Sequence, residues 1–149
     1  ELKNLPVSLL RLKASFTQKL QNLDLNGLNS LQELYVSYSG ITELENIPAS
    51  LVTLNASIAK LQSIDLNGLS SLKELYVSDS GITELKNIPA SLVKLDARRT
   101  QKLQSIDLNG LSSLKALDVS DSGITKLENI PPSLPKENIK TAGTNIALN

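Results

Sequence analysis

The chain of 149 residues contains no cysteine and no histidine. Without cysteine it has no disulfides, no thiolate nucleophile and no cysteine-ligated zinc, and without histidine it lacks the commonest general base and metal ligand. The remaining residues form no recognisable catalytic motif. The composition therefore predicts a protein that is not an enzyme and that uses no cofactor and no metal.

Fifteen basic and fifteen acidic residues leave the chain without net charge. A neutral chain lacks the electrostatic attraction that drives nonspecific binding to nucleic acids or to anionic membranes. The sequence also has no apolar run of about 18 residues, the length that a membrane-spanning helix requires. We expect no nucleic-acid partner and no insertion into a membrane.

Tryptophan and methionine are absent, and aromatic residues make up only 3% of a chain that is 40% hydrophobic. Aliphatic side chains must therefore fill the interior, which favours a regular lattice. The sequence shows this regularity directly, because residues 61–88 and 103–130 match at 24 of 28 positions after a spacing of 42. The four differing pairs are Glu74/Ala116, Tyr76/Asp118, Glu84/Lys126 and Lys86/Glu128.

The array divides into units that begin with the pattern LxxLx(V/A), and positions are counted from the first leucine of each unit. Successive units start 20 to 22 residues apart, and shorter and longer units alternate to give the 42-residue period. The six starts are Leu9, Leu31, Leu51, Leu72, Leu92 and Leu114, with a degraded start at Leu134.

This period and leucine spacing resemble the leucine-rich repeat superfamily over nearly the whole chain. The short units, with LxxLxVxxSxIxxL followed by NIPASL or NIPPSL, resemble repeats of type III secreted bacterial effectors, and the IDLNGLSSL tails of the long units resemble those of internalin-like surface proteins. The resemblance implies a right-handed solenoid, α/β by convention but mostly parallel β. Its concave side would carry a parallel sheet, and its convex side short extended or single-turn segments.

We expect residues 1–149 to form a single leucine-rich-repeat domain, cut from a longer chain. Residues 1–8 match the tail of a repeat, so an upstream unit is expected, and residues 9–133 hold the six units. Residues 134–149 form either a degenerate last unit or a C-terminal tail, because Pro135 and Glu137 stand where strand residues belong.

Alternation within each unit separates buried from outward positions. The pattern LKELYVS has the period of two that is typical of a strand with one buried face. The first, fourth and sixth positions should point into the core, and the third, fifth, seventh and eighth should point outward. At the ninth position, serine or threonine can bond to the loop backbone, but Ala59 cannot.

All four aromatic residues, Phe16, Tyr35, Tyr38 and Tyr76, fall on outward positions, where burial does not explain them. Exposed aromatic residues often anchor protein interfaces. Ile58 should extend an apolar stripe made by Phe16 and Tyr38 on neighbouring rungs. The alternative is that outward positions vary freely and that tyrosine simply favours strands.

The C-terminal half of the same face carries the charged residues Asp96, Arg98, Arg99 and Asp118. They can form a polar docking patch or a solvated ladder of charges, and the sequence leaves both interpretations open. Asp79, Asp118 and Asp121 could in principle ligate calcium. The spacing of a calcium-binding loop is missing, however, so we predict no metal site.

These features predict a noncatalytic module that binds a protein partner on its concave face. The resemblance implies a bacterial protein that is secreted or on the cell surface, sometimes delivered into host cells, with a host protein as the partner. One alternative is the substrate-targeting domain of a larger effector enzyme such as a ubiquitin ligase. The other is a structural, adhesive or designed repeat array.

Overall fold

The computed structural model describes residues 2–148. Glu1 of the predicted upstream tail and Asn149 of the predicted last segment lie outside this range. Seven strands pair in parallel and in chain order to form one sheet, which we call the main sheet. They are β1 (Arg11–Lys13), β3 (Glu33–Tyr35), β5 (Thr53–Asn55), β7 (Glu74–Tyr76), β9 (Lys94–Asp96), β11 (Ala116–Asp118) and β13 (Ile139–Lys140).

The tails of the units contribute a second set of strands. These pair two by two, a long-unit tail with the tail of the next short unit, and we call the three pairs the tail sheets. They are β2 (Asn22–Asp24) with β4 (Glu43–Glu45), β6 (Ser63–Asp65) with β8 (Glu84–Lys86), and β10 (Ser105–Asp107) with β12 (Lys126–Glu128). The predicted extended segments are thus paired strands, and the 42-residue period follows this pairing.

One column of leucines fixes the register of the main sheet. Leu34 lies opposite Leu12 on one side and Leu54 on the other, and the column continues through Leu75 and Leu95. Each is flanked along its strand by residues on the opposite face, so a slip of one residue would expose the whole column. The fourth position is therefore a core position, as the alternation predicts.

The core runs the length of the solenoid and is aliphatic throughout. Leucine, isoleucine, valine and alanine make up all of its fully buried members, and no aromatic ring enters it. Full burial of one leucine or isoleucine side chain stabilises the fold by roughly 1.5–3 kcal/mol. Within residues 2–148, no buried side-chain nitrogen or oxygen lacks a hydrogen-bond partner. The described range contains no helix long and apolar enough to cross a membrane.

Each tail sheet is closed by the same polar pair. Asp65 Oδ1 accepts hydrogen bonds from the backbone N–H of Asn67 at 2.9 Å and from Asn87 Nδ2 at 2.9 Å. The side-chain bond from Asn87, followed by the backbone bond, lowers the pKa of Asp65, because both stabilise the carboxylate. The same pair recurs as Asp24 with Asn46 and Asp107 with Asn129, with the same lowering of the aspartate pKa.

The loops after the main-sheet strands use the same hydroxyl bond in long and short units, and unit three is an exception. The hydroxyl of Thr100 donates to the carbonyl of Ala97 at 2.6 Å, and that of Ser80 donates to Val77 at 2.7 Å. Ala59 is buried at the corresponding position and has no hydroxyl to donate. Serine and threonine here therefore bond to the loop backbone as predicted from their chemistry.

Glycine follows the ninth position in every short unit. How closely it approaches the preceding unit depends on the length of that unit's loop. A Cβ on Gly40 or Gly123 would overlap the backbone carbonyl oxygen of Gln18 or Gln101. A Cβ on Gly81 would lie 3.4 Å from the nearest atom, the carbonyl oxygen of Leu61. The loop of unit three is one residue shorter, so Gly81 has room where the other two glycines have none.

The last segment continues the solenoid. A 3₁₀ turn at Lys136–Asn138 takes up the irregular sequence around Pro135 and Glu137, and β13 then pairs with β11. Ile139 lies opposite Leu117 and is buried. Residues 134–148 thus form a seventh rung in which a short 3₁₀ turn replaces the start of the strand.

Candidate functional site

The hydrogen-bond ladder of the main sheet extends beyond the strands. The N–H of Ala14 at position six bonds to the carbonyl of Tyr35 at 2.8 Å, and that of Phe16 at position eight bonds to Ser37 at 2.8 Å. The N–H of Ile58 likewise bonds to the carbonyl of Ser78 at 2.8 Å. The eighth position is therefore held by the sheet and is not part of a free loop.

At this eighth position the backbone is left-handed in all six units. Such φ values are uncommon outside glycine, asparagine and aspartate, and a β-branched residue such as Ile58 is a genuine outlier there. The left-handed conformation costs an ordinary residue roughly 1–2 kcal/mol. We call these residues the ridge: Phe16 (φ 62°), Tyr38 (54°), Ile58 (57°), Asp79 (54°), Arg99 (54°) and Asp121 (55°).

The first three ridge residues form the apolar stripe that the sequence predicts. The rings of Phe16 and Tyr38 stack with centroids 4.8 Å apart and planes 10° apart. Such a pair contributes about 0.5–1.5 kcal/mol beyond its buried area. Phe16 nevertheless stays 75% exposed, Tyr38 42% and Ile58 36%, so most of the apolar surface of Phe16 faces solvent.

Tyr35 and Tyr76 lie on the strands themselves, at position five, and are half-buried. They are separated by Asn55 on the intervening strand, so their rings do not stack on each other. Each ring instead lies beside a lysine of a neighbouring strand. The Nζ atom of Lys13 is 5.9 Å from the Tyr35 centroid and that of Lys94 is 5.3 Å from the Tyr76 centroid, within the range of a cation–π contact.

Glu33 joins the residues around Tyr35. It accepts two hydrogen bonds from the guanidinium of Arg11, at 2.7 and 3.0 Å, and a third from the Tyr35 hydroxyl at 2.9 Å. The bond from Arg11, followed by that from Tyr35, lowers the pKa of Glu33, and the bond to Glu33 raises the pKa of Tyr35. The carboxylate of Glu33 is thus already occupied.

Charged residues in the C-terminal half of the face form ion pairs with one another. Arg98 donates to both carboxylate oxygens of Asp96, from Nε at 3.0 Å and from Nη2 at 2.9 Å, and its Nε lies 3.9 Å from Asp118. These contacts, the hydrogen bond to Asp96 first, raise the pKa of Arg98. On the ridge, Arg99 binds Asp79 at 2.7 to 3.0 Å.

Position five also has a role that its predicted outward direction does not suggest. The side-chain oxygens of Asn55, Asp96 and Asp118 accept the backbone N–H at position seven of the same unit, at 3.0 to 3.1 Å. Asp96 is only 7% exposed, because Arg98 lies against it. Of the charged residues predicted for binding, Asp96 is therefore built into the fold, whereas Arg98, Arg99 and Asp118 keep part of their side chains in solvent.

The polar corner of this half encloses a shallow cavity of about 210 Å³ between β9, β11 and β13. Lys94, Asp96, Arg98, Asp118 and Lys140 line it with both signs of charge. No group of three or more carboxylates, histidines or cysteines in residues 2–148 is placed to hold a metal ion. Of the three aspartates considered for calcium, Asp79 is paired with Arg99.

The chain matches no protein-family model and no curated protein. Among solved structures it is similar to YopM from Yersinia enterocolitica WA-314, with 22% identity and a TM-score of 0.41. The alignment covers 93% of this chain and 43% of that one.

The parallel ladders and the repeat of about 21 residues decide the architecture. The chain folds as a parallel-β solenoid of the leucine-rich-repeat type, which confirms the predicted fold. The sequence alone did not reveal the ridge conformation, the tail pairing or the burial of Asp96.

Proposed function

We propose that this solenoid is a noncatalytic recognition module that binds a protein partner on the outer face of the main sheet, the concave face of the fold. Its anchors are Phe16, Tyr35, Tyr38, Ile58 and Tyr76. The observation that carries the proposal is the exposed stack of Phe16 on Tyr38, continued by Ile58, on a backbone that disfavours all three residues.

The resemblance of the repeats to those of bacterial effectors and surface proteins supports a secreted or surface location and a host protein as the partner. Charge does not oppose this, because the chain is neutral overall and its face carries both signs. Arg98, Arg99 and Asp118 then act at the border of the interface, where exposed ion pairs contribute about 0–1 kcal/mol each.

The proposal is tested with a face variant and a matched tail variant. The face variant carries Tyr35→Asn, Tyr38→Asn and Tyr76→Asn. Asparagine is already the residue at the fifth position in unit three, and it favours the left-handed backbone of Tyr38. The tail variant carries Glu84→Ala and Lys86→Ala on the exposed side of β8. Melting curves should show both variants folded.

Each protein is used to capture partners from extracts of the source bacterium and of candidate host cells, and a captured protein is then purified and its Kd measured. We expect the tail variant to behave like the wild type. The face variant should bind at least tenfold more weakly, which corresponds to about 1.4 kcal/mol. Identical captured proteins and equal Kd values for all three would contradict the proposal.

A further inference from the structure

We infer that the apolar part of the ridge, Phe16, Tyr38 and Ile58, determines specificity by receiving a protein segment that is both apolar and acidic. Aliphatic or aromatic side chains of this segment would cover the three residues, and its carboxylates would lie beside lysines that border them. This inference rests on the proposed function and adds the chemistry of the partner.

A second set of left-handed residues in the same molecule can be compared with the ridge. Each short unit has a second left-handed position directly after its tail strand, the N-terminal tail has one left-handed position, and asparagine occupies it every time. Asparagine tolerates this conformation because its short polar side chain can bond locally. The four are Asn4 (φ 58°), Asn46 (54°), Asn87 (56°) and Asn129 (53°).

Phe16, Tyr38 and Ile58 adopt the same conformation with φ between 54° and 62°. Here the chain carries an aromatic or a β-branched side chain, the kinds of residue that this conformation disfavours. The backbone conformation therefore does not explain why these residue types occur at these positions. What they have in common is the apolar surface that they present.

The ridge also shows where a partner can gain contacts. In its C-terminal part, Asp79 and Arg99 bind each other, so a partner would have to replace an existing ion pair. In its N-terminal part Phe16 and Tyr38 stack on each other, and Phe16, Tyr38 and Ile58 all leave surface uncovered. Three rungs about 4.8 Å apart span roughly 10 Å, which suits two or three side chains of a protein segment.

The charge of the border selects the kind of segment. Lys13 and Lys60 take part in none of the ion pairs found among residues 2–148. Lys13 is three residues before Phe16, and Lys60 two residues after Ile58. Glu33, the carboxylate beside Tyr35, already binds Arg11 and the Tyr35 hydroxyl. Glu74, which also acts on Tyr35, lies on β7, one rung beyond the apolar part of the ridge. The unpaired charges next to Phe16 and Ile58 in the sequence are thus those of Lys13 and Lys60, and carboxylates complement them.

The experiment uses random 12-residue peptides displayed on phage as the probe. Wild-type protein is the target, and two variants serve for comparison. The ridge variant carries Phe16→Asn, Tyr38→Asn and Ile58→Asn, a residue suited to this backbone. The strand variant carries Tyr35→Asn and Tyr76→Asn and leaves the ridge intact. Circular dichroism and thermal melts are recorded for all three proteins.

We expect the peptides selected on wild type to combine aliphatic or aromatic residues with a net negative charge. Synthesised individually, they should bind the ridge variant at least tenfold more weakly than the wild type. Lys13→Gln should weaken binding severalfold, and this loss should shrink in 0.5 M salt, on the order of several times physiological ionic strength. The ridge variant should show the wild-type circular dichroism spectrum and a cooperative melting transition, as a folded chain does.

Three results would overturn the inference: no enrichment on the wild type, selected peptides that are basic, or peptides that bind the ridge variant as well as the wild type. Peptides that depend on Tyr35 and Tyr76 but not on the ridge would leave the proposed function standing and refute only this inference. Sedimentation analysis can give a fourth result that would overturn the inference. A wild-type dimer that the ridge variant abolishes would show that a second copy, and not an acidic segment, covers the ridge.

Discussion

The side chains in the two halves of the main-sheet face make different kinds of contact with one another. In the N-terminal half, Phe16 and Tyr38 contact each other and leave apolar surface in solvent. In the C-terminal half, Arg98 binds Asp96 and Arg99 binds Asp79, so four of the charged residues there are already paired. A partner gains more where surface is uncovered than where it must break an ion pair.

Beneath the face, the scaffold of the two halves is the same. The leucine column, the tail pairs and the loop glycines recur every two units, at spacings of 41 or 42 residues. The comparison therefore separates what the solenoid needs from what each half presents. Substitutions in the scaffold should act equally in both halves, and substitutions on the face should not.

The loop glycines provide the largest expected effect and test the shared scaffold. Gly40→Ala in the N-terminal half and Gly123→Ala in the C-terminal half should each lower the free energy of unfolding by about 1–3 kcal/mol, because the new Cβ meets a backbone carbonyl. Gly81→Ala should leave it unchanged or raise it by up to about 1 kcal/mol, since the site has room and alanine restricts the unfolded chain.

Urea unfolding followed by circular dichroism measures all three alanine variants. Equal losses at Gly40 and Gly123 would confirm that both halves share one loop geometry. A loss at Gly81 as large as the other two would show that the shorter loop of unit three does not create the space that we describe.

Substitutions at position five should change the free energy of unfolding differently in the two halves. Asp96→Ala removes the acceptor of the Arg98 backbone N–H and of its guanidinium, and a loss of about 1–3 kcal/mol is expected for such buried bonds. Asp96→Asn should lose less, because Asn55 makes the equivalent backbone bond in unit three. Lys13→Ala, at position five of unit one, should change stability by no more than about 0.5 kcal/mol.

Thermal or urea unfolding of these three variants gives the comparison. If Asp96→Ala proves as mild as Lys13→Ala, then Asp96 is a surface residue as the sequence alone suggests, and the C-terminal half is as free to bind as the N-terminal half. A matched loss in both halves would mean that position five is structural throughout.

Most of the fold was predictable because it depends on short-range periodicity. Leu34 and Leu75 are buried since they alternate with outward residues, and the repeat carries the same spacing through every unit. The pairing of tail strands was not predictable in this way. Asp65 and Asn87 lie 22 residues apart and meet only after the chain has turned once around the solenoid. Their recurrence at a fixed spacing was the signal available.

The candidate site was predictable in position but not in conformation. The sequence places Phe16, Tyr38 and Ile58 on one stripe, and the structure does the same. It could not show that they are left-handed, because these residue types argue against it, and only Asp79 and Asp121 hint at such a backbone. The burial of Asp96 depends on where the Arg98 side chain lies, which no local pattern specifies.

The smallest expected effect concerns the tail pairs, which should respond to pH alike in both halves. Asn87→Gly keeps a residue suited to the left-handed backbone but removes the amide donor of Asp65, so the pKa of Asp65 should rise toward its ordinary value. In the wild type this pKa is lowered on folding. The bond therefore stabilises the fold fully above the ordinary aspartate pKa of about 4 and is lost as pH falls through the lower, folded value.

Glycine also weakens the fold by loosening the unfolded chain, but that contribution does not depend on pH. The difference in unfolding free energy between wild type and Asn87→Gly should thus be largest near neutral pH and shrink below pH 4, by the same amount for Asn46→Gly and Asn129→Gly. Carbon-detected NMR titration of the aspartate carboxyls locates each pKa directly. A difference that stays constant with pH would show that the asparagines act through the backbone alone, and unequal shifts at Asp24 and Asp107 would show that the scaffold of the two halves is not equivalent.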